Sequence, residues 1–351
     1  MPQIDPDRLY RLVNDIYLAM KVPADMAAHL ADTLVKADLW GHSSHGVMRT
    51  FWYGARIASG ATRLDTTTKI ITDTGPLVAL DGGDGIGQWV TQQAVDLAIE
   101  RARRFGLAAI SIRNSGHFGT AMYFTRQLAM QNMIGFLATN ASPAIPPAGG
   151  REKLIGNNPQ SWAAPTGLET PYLLDFAHSA VARGKIYLAR EKGEAIPIGW
   201  ALDADGQPTT DPAAAIAGTL LPMAGHKGAG LSAMMDVLSG LLSGSEYGGG
   251  VTGPYVADQR SGAGHFLMAI DIASLRPLDA FLDDMQTMIA SWKSSEPQDG
   301  VAGIMFPGEP EYRHQCAAHT TGIALPADVV SDLVSQAANL GIVTSTKDLA
   351  F

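Results

Sequence analysis

An apolar segment, Leu77-Val78-Ala79-Leu80, leads directly into a glycine-rich loop and a long helical stretch, and this junction narrows the possible folds most. A buried strand, a glycine loop and a helix in that order are typical of Rossmann folds, whose loop reads Gly-x-Gly-x-x-Gly. The loop here, Asp81-Gly82-Gly83-Asp84-Gly85-Ile86-Gly87, lacks that spacing, and no lysine follows it as in a P-loop. The sequence therefore favours a plain tight turn over a Rossmann dinucleotide site.

The rest of the chain alternates between helix-like and strand-like segments. Apolar residues recur at helical spacing in residues 6–20, 24–40, 88–105, 120–133, 228–242, 278–292 and 326–340. Strand-like apolar runs occupy residues 77–80, 107–112, 134–138, 154–165, 172–176 and 266–270. Because these segments form no regular βαβ repeat, they predict a mixed α+β fold with a mixed sheet. Residues 244–264 are glycine-rich and weakly patterned, which predicts a mobile loop.

Composition restricts the partners of the chain. A length of 351 residues is sufficient for a large core divided between two lobes, and a net charge of −9 disfavours nucleic acid as a partner. No apolar stretch reaches the ~18–20 residues that a membrane span needs, and no signal peptide is recognisable at the start of the sequence. The single cysteine, Cys316, fits a reducing compartment and is expected to pack in the core. We therefore expect a cytoplasmic protein that takes a small-molecule substrate.

Three short loops each place a titratable side chain between glycines. They are Gly41-His42-Ser43-Ser44-His45-Gly46-Val47-Met48-Arg49 after a helix, Asn114-Ser115-Gly116-His117-Phe118-Gly119 after a strand, and Gly225-His226-Lys227-Gly228 before a helix. Glycine lets a backbone approach a ligand closely. We therefore expect these loops to assemble one reactive site from distant parts of the chain.

Several chemistries are open to such a site. His42, His45 and His117 are candidate metal ligands, although no carboxylate joins them and none are at helical i, i+4 spacing. Ser44 and His45 are a candidate nucleophile and base, but adjacent side chains usually point apart and the Gly-x-Ser-x-Gly elbow is missing. A metal-dependent lyase, a hydrolase and a non-catalytic binding protein are the alternatives that these residues leave open.

A simpler hypothesis combines Arg49 with a histidine. A guanidinium holds a carboxylate through two parallel hydrogen bonds, and a histidine exchanges a proton with a neighbouring hydroxyl or carbonyl oxygen near neutral pH. This pair suits interconversion of a 2-hydroxy acid and a 2-oxo acid with a nicotinamide. Lys227 at a helix start could contact a phosphate, and Asp175 at a strand end could bind a ribose. A surface ion pair for Arg49, a helix cap for His117 and an exposed lysine remain alternatives.

Six motifs in a fixed order resemble those of the type 2 malate/L-lactate dehydrogenase family, which includes ureidoglycolate dehydrogenase, diketogulonate reductase, sulfolactate dehydrogenase and piperideine-2-carboxylate reductase. The motifs are Ser44-His45-Gly46-Val47-Met48-Arg49, Gly116-His117-Phe118-Gly119, Gly156-Asn157-Asn158-Pro159, Asp175-Phe176-Ala177 followed by Gly184-Lys185, Gly225-His226-Lys227-Gly228 and Phe306-Pro307-Gly308-Glu309. They extend over nearly the whole chain.

The resemblance implies an NAD(P)-dependent oxidoreductase, with NAD favoured, that acts as a homodimer and has a cofactor domain unlike the Rossmann fold. It implies a helical, substrate-side domain of residues 1–120 with 285–351 and a cofactor domain of residues 121–284. His117 would be the acid/base beside a Ser44–His45 relay, and Arg49 and Asn157 would bind the substrate. The residues implied to contact the cofactor are Asn140, Asp175, Phe176, Ala177, Lys227, Gly308 and Glu309.

Two positions depart from the family pattern. Asn157 replaces a threonine that many relatives carry near the substrate, which bears on substrate choice. Lys185 lies near the position of an aspartate in the imine reductases, so their three-residue relay does not carry over and a cyclic-imine substrate is disfavoured. The expected reaction is therefore on a 2-oxo or 2-hydroxy acid of the malate or lactate type, with ureidoglycolate or a sugar-derived keto acid as the alternative.

Overall fold

The computed structural model describes residues 1–351, which form thirteen strands and eleven helices. The strands are β1 Gln3–Ile4, β2 Lys69–Asp73, β3 Leu77–Asp81, β4 Leu107–Ser115, β5 Met133–Thr139, β6 Pro143–Ile145, β7 Ile155–Gly156, β8 Gln160–Ala164, β9 Tyr172–Phe176, β10 Ala201–Leu202, β11 Thr219–Leu220, β12 Ala263–Asp271 and β13 Ile323–Ala324. The helices are α1 Pro6–Ala19, α2 Ala24–Leu39, α3 Thr50–Ala58, α4 Gly87–Phe105, α5 Met122–Met130, α6 Arg183–Lys192, α7 Pro212–Ala217, α8 His226–Asp236, α9 Leu278–Lys293, α10 Glu309–Thr321 and α11 Ala327–Asn339.

Seven strands form the central sheet in the order β2-β3-β4-β12-β5-β8-β9. Only β3 and β4 pair in parallel, and every other neighbouring pair is antiparallel. The parallel pair is the strand–glycine loop–helix unit of residues 77–105, whose helix α4 connects β3 to β4. This pairing confirms the mixed sheet predicted from the irregular alternation of segments, whereas a doubly wound Rossmann sheet is mostly parallel.

The sheet and two helices share the largest core. On α4, Ala94, Ala98 and Ala102 are fully buried and recur every fourth residue, so the small side chains form one stripe on the helix. Phe124 and Leu128 of α5 are buried in the same cluster. The alternating burial along β4 reflects the period of two that a strand imposes.

The two ends of the chain form a second core. Strand β1 pairs with β13, with Ile4 opposite Ile323, and this pairing ties the N-terminus to the C-terminal region. Buried residues of α1 and α2 pack in one cluster with Leu333 and Ala337 of α11. Strands β2 to β4, which precede residue 120, lie in the same sheet as β5 and β12. The proposed division into domains 1–120 with 285–351 and 121–284 stays a prediction.

A third, smaller core is formed by the part of the chain from β6 to β11. It contains Ile145, Val181, Ile186, Ala201 and Leu220. The two-stranded pairs β6–β7 and β10–β11 and the helices α6 and α7 surround it. This region borders the candidate site described below.

Several elements differ from the predicted ones. The helix expected over 228–242 begins at His226 and continues after Asp236 as a π-helical turn, Val237–Leu241. The glycine-rich segment 244–264 contains one 3-10 turn, Gly248–Gly250, and the start of β12. The expectation that Cys316 packs in the core is wrong, because it is exposed on α10. None of the eleven helices combines the length and the apolar character that crossing a bilayer requires.

Candidate active site

The loop after α2 is held by a buried carboxylate. It turns twice as 3-10 helix, Ser43–His45 and Val47–Arg49, before α3 begins. The Oδ2 atom of Asp38 accepts the backbone N–H of Val47 at 2.8 Å, and burial raises the pKa of Asp38 to about 7. A Cβ atom on Gly46 would lie 2.0 Å from Asp38 Oδ1, so only glycine fits against this carboxylate. Asp38 thereby fixes the segment that carries Ser44, His45 and Arg49.

The second loop presents His117 directly after β4. The Nδ1 atom of His117 accepts the backbone N–H of Gly119 at 3.2 Å and lies 2.7 Å from the Tyr53 hydroxyl. A backbone N–H can only donate, so Nδ1 carries no proton and the Tyr53 O–H also donates to it. The neutral ring of His117 therefore carries its proton on Nε2.

His45 stacks on His117. Their ring centroids are 5.6 Å apart and their planes differ by 17°. Burial, followed by the nearby His45 and Arg49, lowers the pKa of His117 well below its ordinary value. Burial, with smaller effects of Arg49 and His42, lowers the pKa of His45 to about 3. Both rings are consequently neutral at neutral pH.

Ser44 and His45 are hydrogen bonded, with Oγ 2.9 Å from Nδ1. The expectation that these adjacent side chains point apart is therefore wrong. Both residues lie in the 3-10 turn Ser43–His45, and the short serine side chain reaches the ring of its neighbour there. The role of this pair as a relay stays a prediction.

Tyr53 is a site residue that the sequence analysis missed. It lies in α3, one helical turn after Arg49, and it is buried. Burial raises the pKa of Tyr53 to about 12, although the Arg49 charge and the neighbouring Gln88 amide act in the opposite direction. Tyr53 therefore stays protonated and donates to His117. Tyr53 lies outside the glycine-bracketed loops, so the pattern that marked the other site residues did not mark it.

A cavity of about 390 Å³ opens beside the two histidines. Segments 41–45, 117–121, 139–142, 175–177 and 251–254 contribute most of its walls. The predicted site residues that line it are Ser44, His45, His117, Asn140, Asn157, Asp175, Phe176 and Ala177. Two of the three glycine-bounded loops that were expected to converge do so at this cavity, and the loop Gly225–Gly228 does not line it.

Arg49 lies next to this cavity without lining it. Its Nε donates to the carbonyl oxygen of Ser44, and its guanidinium stacks on the Trp52 ring at 4.0 Å from the ring centroid. It forms no ion pair with a carboxylate, so the alternative of a surface ion pair is wrong. The two terminal amino groups of the guanidinium remain available for a ligand.

The other lining residues differ in how much of their polar surface is used. Asn140 is buried, and its side-chain amide donates to Glu246 O at 2.7 Å and accepts from Gly264 N at 2.9 Å. Asp175 accepts from Thr120 Oγ1 at 2.9 Å and from Met122 N at 2.7 Å, and burial raises its pKa. The side chain of Asn140 is therefore committed to the protein, and a ligand would meet its backbone.

Three predicted cofactor residues lie elsewhere. Lys227 is exposed in the first turn of α8 and outside this cavity. Gly308 has φ +98°, a conformation that favours glycine, and packs against the backbone of Pro171 and Leu173. The carboxylate of Glu309 is nearly buried and pairs with Lys293 Nζ at 2.7 Å and Arg313 at 2.6 Å.

The three histidines do not converge as metal ligands. No group of three or more His, Cys, Asp or Glu side chains is arranged to hold a metal ion. His42 instead lies 3.0 Å from Thr120 Oγ1 through Nδ1 and 3.6 Å from Glu311 Oε1 through Nε2. The hydrogen bond from His42 is the first cause that lowers the pKa of Glu311.

Comparison with known proteins agrees with this architecture. Residues 4–334 match the family model described as malate/L-lactate dehydrogenase. The chain is 37% identical to a malate dehydrogenase of Pyrococcus abyssi, covering 97% of this chain and 95% of the relative. It is 35% identical to an L-sulfolactate dehydrogenase of Methanothermobacter thermautotrophicus, covering 99% of this chain and all of the relative (100%).

A solved structure gives the same result at the level of the fold. The sulfolactate dehydrogenase from Methanocaldococcus jannaschii superposes with a TM-score of 0.92 at 34% identity and covers 97% of this chain and 98% of its own. The predicted family and the predicted fold class are both confirmed. The chain belongs to the malate/L-lactate dehydrogenase family of oxidoreductases.

Proposed function

We propose that this protein transfers hydride reversibly between a nicotinamide dinucleotide and a small 2-oxo or 2-hydroxy acid of the malate or lactate type. The observation that carries the proposal is the environment of His117 at the wall of the 390 Å³ cavity. Its Nδ1 is occupied by Gly119 and Tyr53, so Nε2 is the nitrogen available to a substrate. His117 is therefore the acid that protonates the carbonyl oxygen and the base that removes this proton in the reverse direction.

The substrate carboxylate is assigned to Arg49. Its terminal amino groups are free, and Trp52 and the Ser44 carbonyl hold the guanidinium in one orientation. A planar guanidinium held in this way offers two parallel N–H donors, which fixes both the position and the orientation of a carboxylate. Arg49 also supplies a positive charge near the negative charge that develops on the carbonyl oxygen. Asn157 lines the same cavity and provides a further donor and acceptor for the remainder of the substrate.

The residues around the cavity fit a nicotinamide dinucleotide, which supplies or accepts the hydride when it is bound. Asp175 is half-buried at the border of the cavity, and its carboxylate could accept hydrogen bonds from a ribose. Segment 177–182 borders both this cavity and another cavity of about 380 Å³, which is also lined by Gly225 and by His226, the first residue of α8. The first turn of α8 has no side-chain cap, so its backbone N–H groups and Lys227 suit a phosphate.

The other residues proposed to contact the cofactor are Asn140, Phe176, Ala177, Gly308 and Glu309. Asn140, Phe176 and Ala177 line the cavity, so a bound nicotinamide would touch them. The ion pairs of Glu309 leave its carboxylate little capacity for a ligand. NAD is the proposed cofactor, and the comparison of NADH with NADPH decides between it and NADP.

The malate and sulfolactate dehydrogenases similar to this chain suggest the substrate class. Malate and sulfolactate are both 2-hydroxy acids that carry a second anionic group. The alternative within the same chemistry is ureidoglycolate or a sugar-derived keto acid, and a cyclic imine is disfavoured. Lys185 is exposed on α6 and does not line the cavity, so it forms no relay with Ser44 and His45.

A substrate panel tests the proposal. Purified protein is mixed with NADH or NADPH and with pyruvate, oxaloacetate, 2-oxoglutarate, sulfopyruvate, a diketogulonate or piperideine-2-carboxylate, and loss of the reduced-nicotinamide absorbance is followed. The 2-hydroxy acids and ureidoglycolate are tested in the reverse direction with NAD and NADP. We expect rapid turnover with oxaloacetate, sulfopyruvate or pyruvate. Turnover confined to the cyclic imine, or none with any compound in folded protein, would contradict the proposal.

We further propose that the protein is a homodimer, as its family resemblance implies. Helix α8 and the π turn after it expose Leu231, Met234, Val237, Leu241 and Leu242 along one side, each 41–60% exposed. An apolar stripe of this kind on a chain with a full core is typical of an interface. Leu241→Asp is expected to halve the mass measured by sedimentation velocity, and Val343→Asp, at a fully exposed position, is the control that should not. An unchanged mass in Leu241→Asp would place the interface elsewhere.

A further inference from the structure

A small cavity, separate from the two described above, lies next to His117 on the side of Tyr53. It has a volume of about 20 Å³, slightly more than the ~10–15 Å³ that one buried water molecule needs. Its walls include the side chains of Tyr53, Gln88 and His117, together with Arg56 and Thr62. Tyr53, whose hydroxyl contacts Nδ1 of His117, borders this cavity and not the large one.

Gln88 is unsatisfied at this cavity. It is the second residue of α4, it is 1% exposed, and its Nε2 has no hydrogen-bond partner within the protein. Leaving a buried amide N–H unpaired costs about 1–3 kcal/mol, so such groups are normally paired with protein or water. A water molecule in the small cavity would accept from Gln88 and contact the Tyr53 hydroxyl.

We propose that a single water held by Gln88 positions the Tyr53 hydroxyl. Tyr53 in turn keeps the proton of the neutral His117 ring on Nε2, and it gives its own proton to Nδ1 when the Nε2 proton passes to the substrate during reduction. This inference rests on the function proposed above. Gln88 and Tyr53 are positioning residues, because they act through the ring of His117. Arg56 is excluded from this role, since its guanidinium donates to the carbonyl oxygens of Val256 and Gln259.

The proton balance of the step follows from the hydrogen bonds. When the His117 Nε2–H bond breaks and a new O–H bond forms on the substrate, Nδ1 takes the proton of Tyr53. The ring stays neutral, and the negative charge that arrives with the hydride rests on the Tyr53 oxygen. The Gln88-bound water and the positive charge of Arg49 stabilise that oxygen, and a proton from solution restores the Tyr53 hydroxyl after product release. Two protons therefore move in the reductive step.

Three variants test the relay. Tyr53→Phe removes the second proton, and Gln88→Met removes the amide while keeping its volume. Gln92→Met is the matched control, because Gln92 lies one turn further along α4 and pairs with Gln127 away from the cavity. The single-turnover rate of NADH oxidation is measured in mixtures of light and heavy water. We expect the rate to curve with deuterium fraction in the wild-type protein and in Gln92→Met, and to be linear and at least about tenfold lower in Tyr53→Phe.

Gln88→Met is expected to slow the same step about tenfold with little change in KM. A high-resolution crystal structure gives a readout independent of activity: density for one water between Gln88 and Tyr53 in the wild type, and none in Gln88→Met. Any one of three results would overturn the proposal. They are absence of that water in the wild type, a linear dependence of the wild-type rate on deuterium fraction, and equal rates for Gln88→Met and Gln92→Met. If no 2-oxo acid turns over, the proposed function fails, and the density alone still decides whether the cavity binds water.

Discussion

Gly46→Ala should destabilise the protein far more than an ordinary glycine substitution. The backbone of Gly46 has φ −85°, which alanine adopts without strain, so the cost comes from space alone. The new methyl group would lie 2.0 to 2.3 Å from the three carboxyl atoms of Asp38. Asp38 must move, and it then loses its hydrogen bond to Val47.

The magnitude follows from two contributions. Leaving the buried Val47 N–H without its acceptor costs about 1–3 kcal/mol, and forcing a methyl group into a packed site costs about 1–3 kcal/mol. The free energy of unfolding should therefore fall by roughly 2–6 kcal/mol, a large part of the roughly 5–15 kcal/mol by which a typical protein is stable. Because the same loop carries His45 and Arg49, kcat/KM should also fall.

Urea unfolding measures the effect, and two comparisons isolate its cause. Gly184→Ala in α6 is the control, because its Cβ meets nothing within 4 Å and alanine suits a helix better than glycine. In an Asp38→Ala background, room for the methyl group exists, so Gly46→Ala should cost little there. If Gly46→Ala cost as much with Asp38 present as without it, the clash would not be the cause and the reasoning would be refuted.

The remaining predictions concern Asp38, His117, Arg49 and Glu309. The pKa of Asp38 is raised from 3.8 to about 7, so the carboxyl of the folded protein binds its proton more tightly than that of the unfolded chain. As the pH rises from about 4 to 7, the unfolding free energy of the wild type should therefore fall relative to that of Asp38→Asn, by up to about 4 kcal/mol. Chemical denaturation measures this difference, and a difference that does not change with pH would refute the prediction. His117→Gln should lower kcat by about 10²- to 10⁴-fold without changing the dissociation constant of the reduced cofactor. Arg49→Lys should chiefly raise KM for the 2-oxo acid. Steady-state kinetics and cofactor titration show whether the two effects separate in this way. Glu309→Gln removes the two ion pairs that the nearly buried carboxylate forms with Lys293 and Arg313. It should lower the melting temperature and leave KM for the cofactor unchanged. A rise in that KM without a lower melting temperature would instead assign Glu309 to cofactor binding.

Periodicity made the buried elements of the fold predictable. Helices α1, α2 and α4 carry long apolar stripes, and β4 alternates between buried and exposed residues, so their patterns show in the sequence. Strand β2 could not be found in this way, because all five of its residues are exposed at the edge of the sheet. The pairing of distant strands β4 and β12 depends on tertiary packing, which local patterns do not encode.

Helices without an apolar stripe were missed for a related reason. Helix α6 buries only Ile186, and α10 is polar around most of its surface. Helix α3 follows the polar loop through two 3-10 turns without a capping residue that would mark its start. Their positions are set by neighbours distant in sequence rather than by their own composition.

The candidate site was predictable where glycines bracket reactive side chains. The loops around His45 and His117 could be recognised in this way, and the structure brings these rings to 5.6 Å between centroids. Tyr53 and Gln88 were missed because no glycine brackets them, and their importance comes from the side chains that they face in the folded protein. The use of the Asn140 amide within the protein could not be predicted either, since its partners are more than 100 residues away.

The central claim is that His117 delivers the substrate proton during hydride transfer in this cavity. The most direct measurement is the single-turnover oxidation of bound reduced nicotinamide on mixing with the best 2-oxo acid, in wild type and His117→Gln. We predict rapid oxidation by the wild type and at least about a hundredfold slower oxidation by the variant at saturating substrate. Equal rates in the two proteins, with both shown to be folded and loaded with cofactor, would contradict the account.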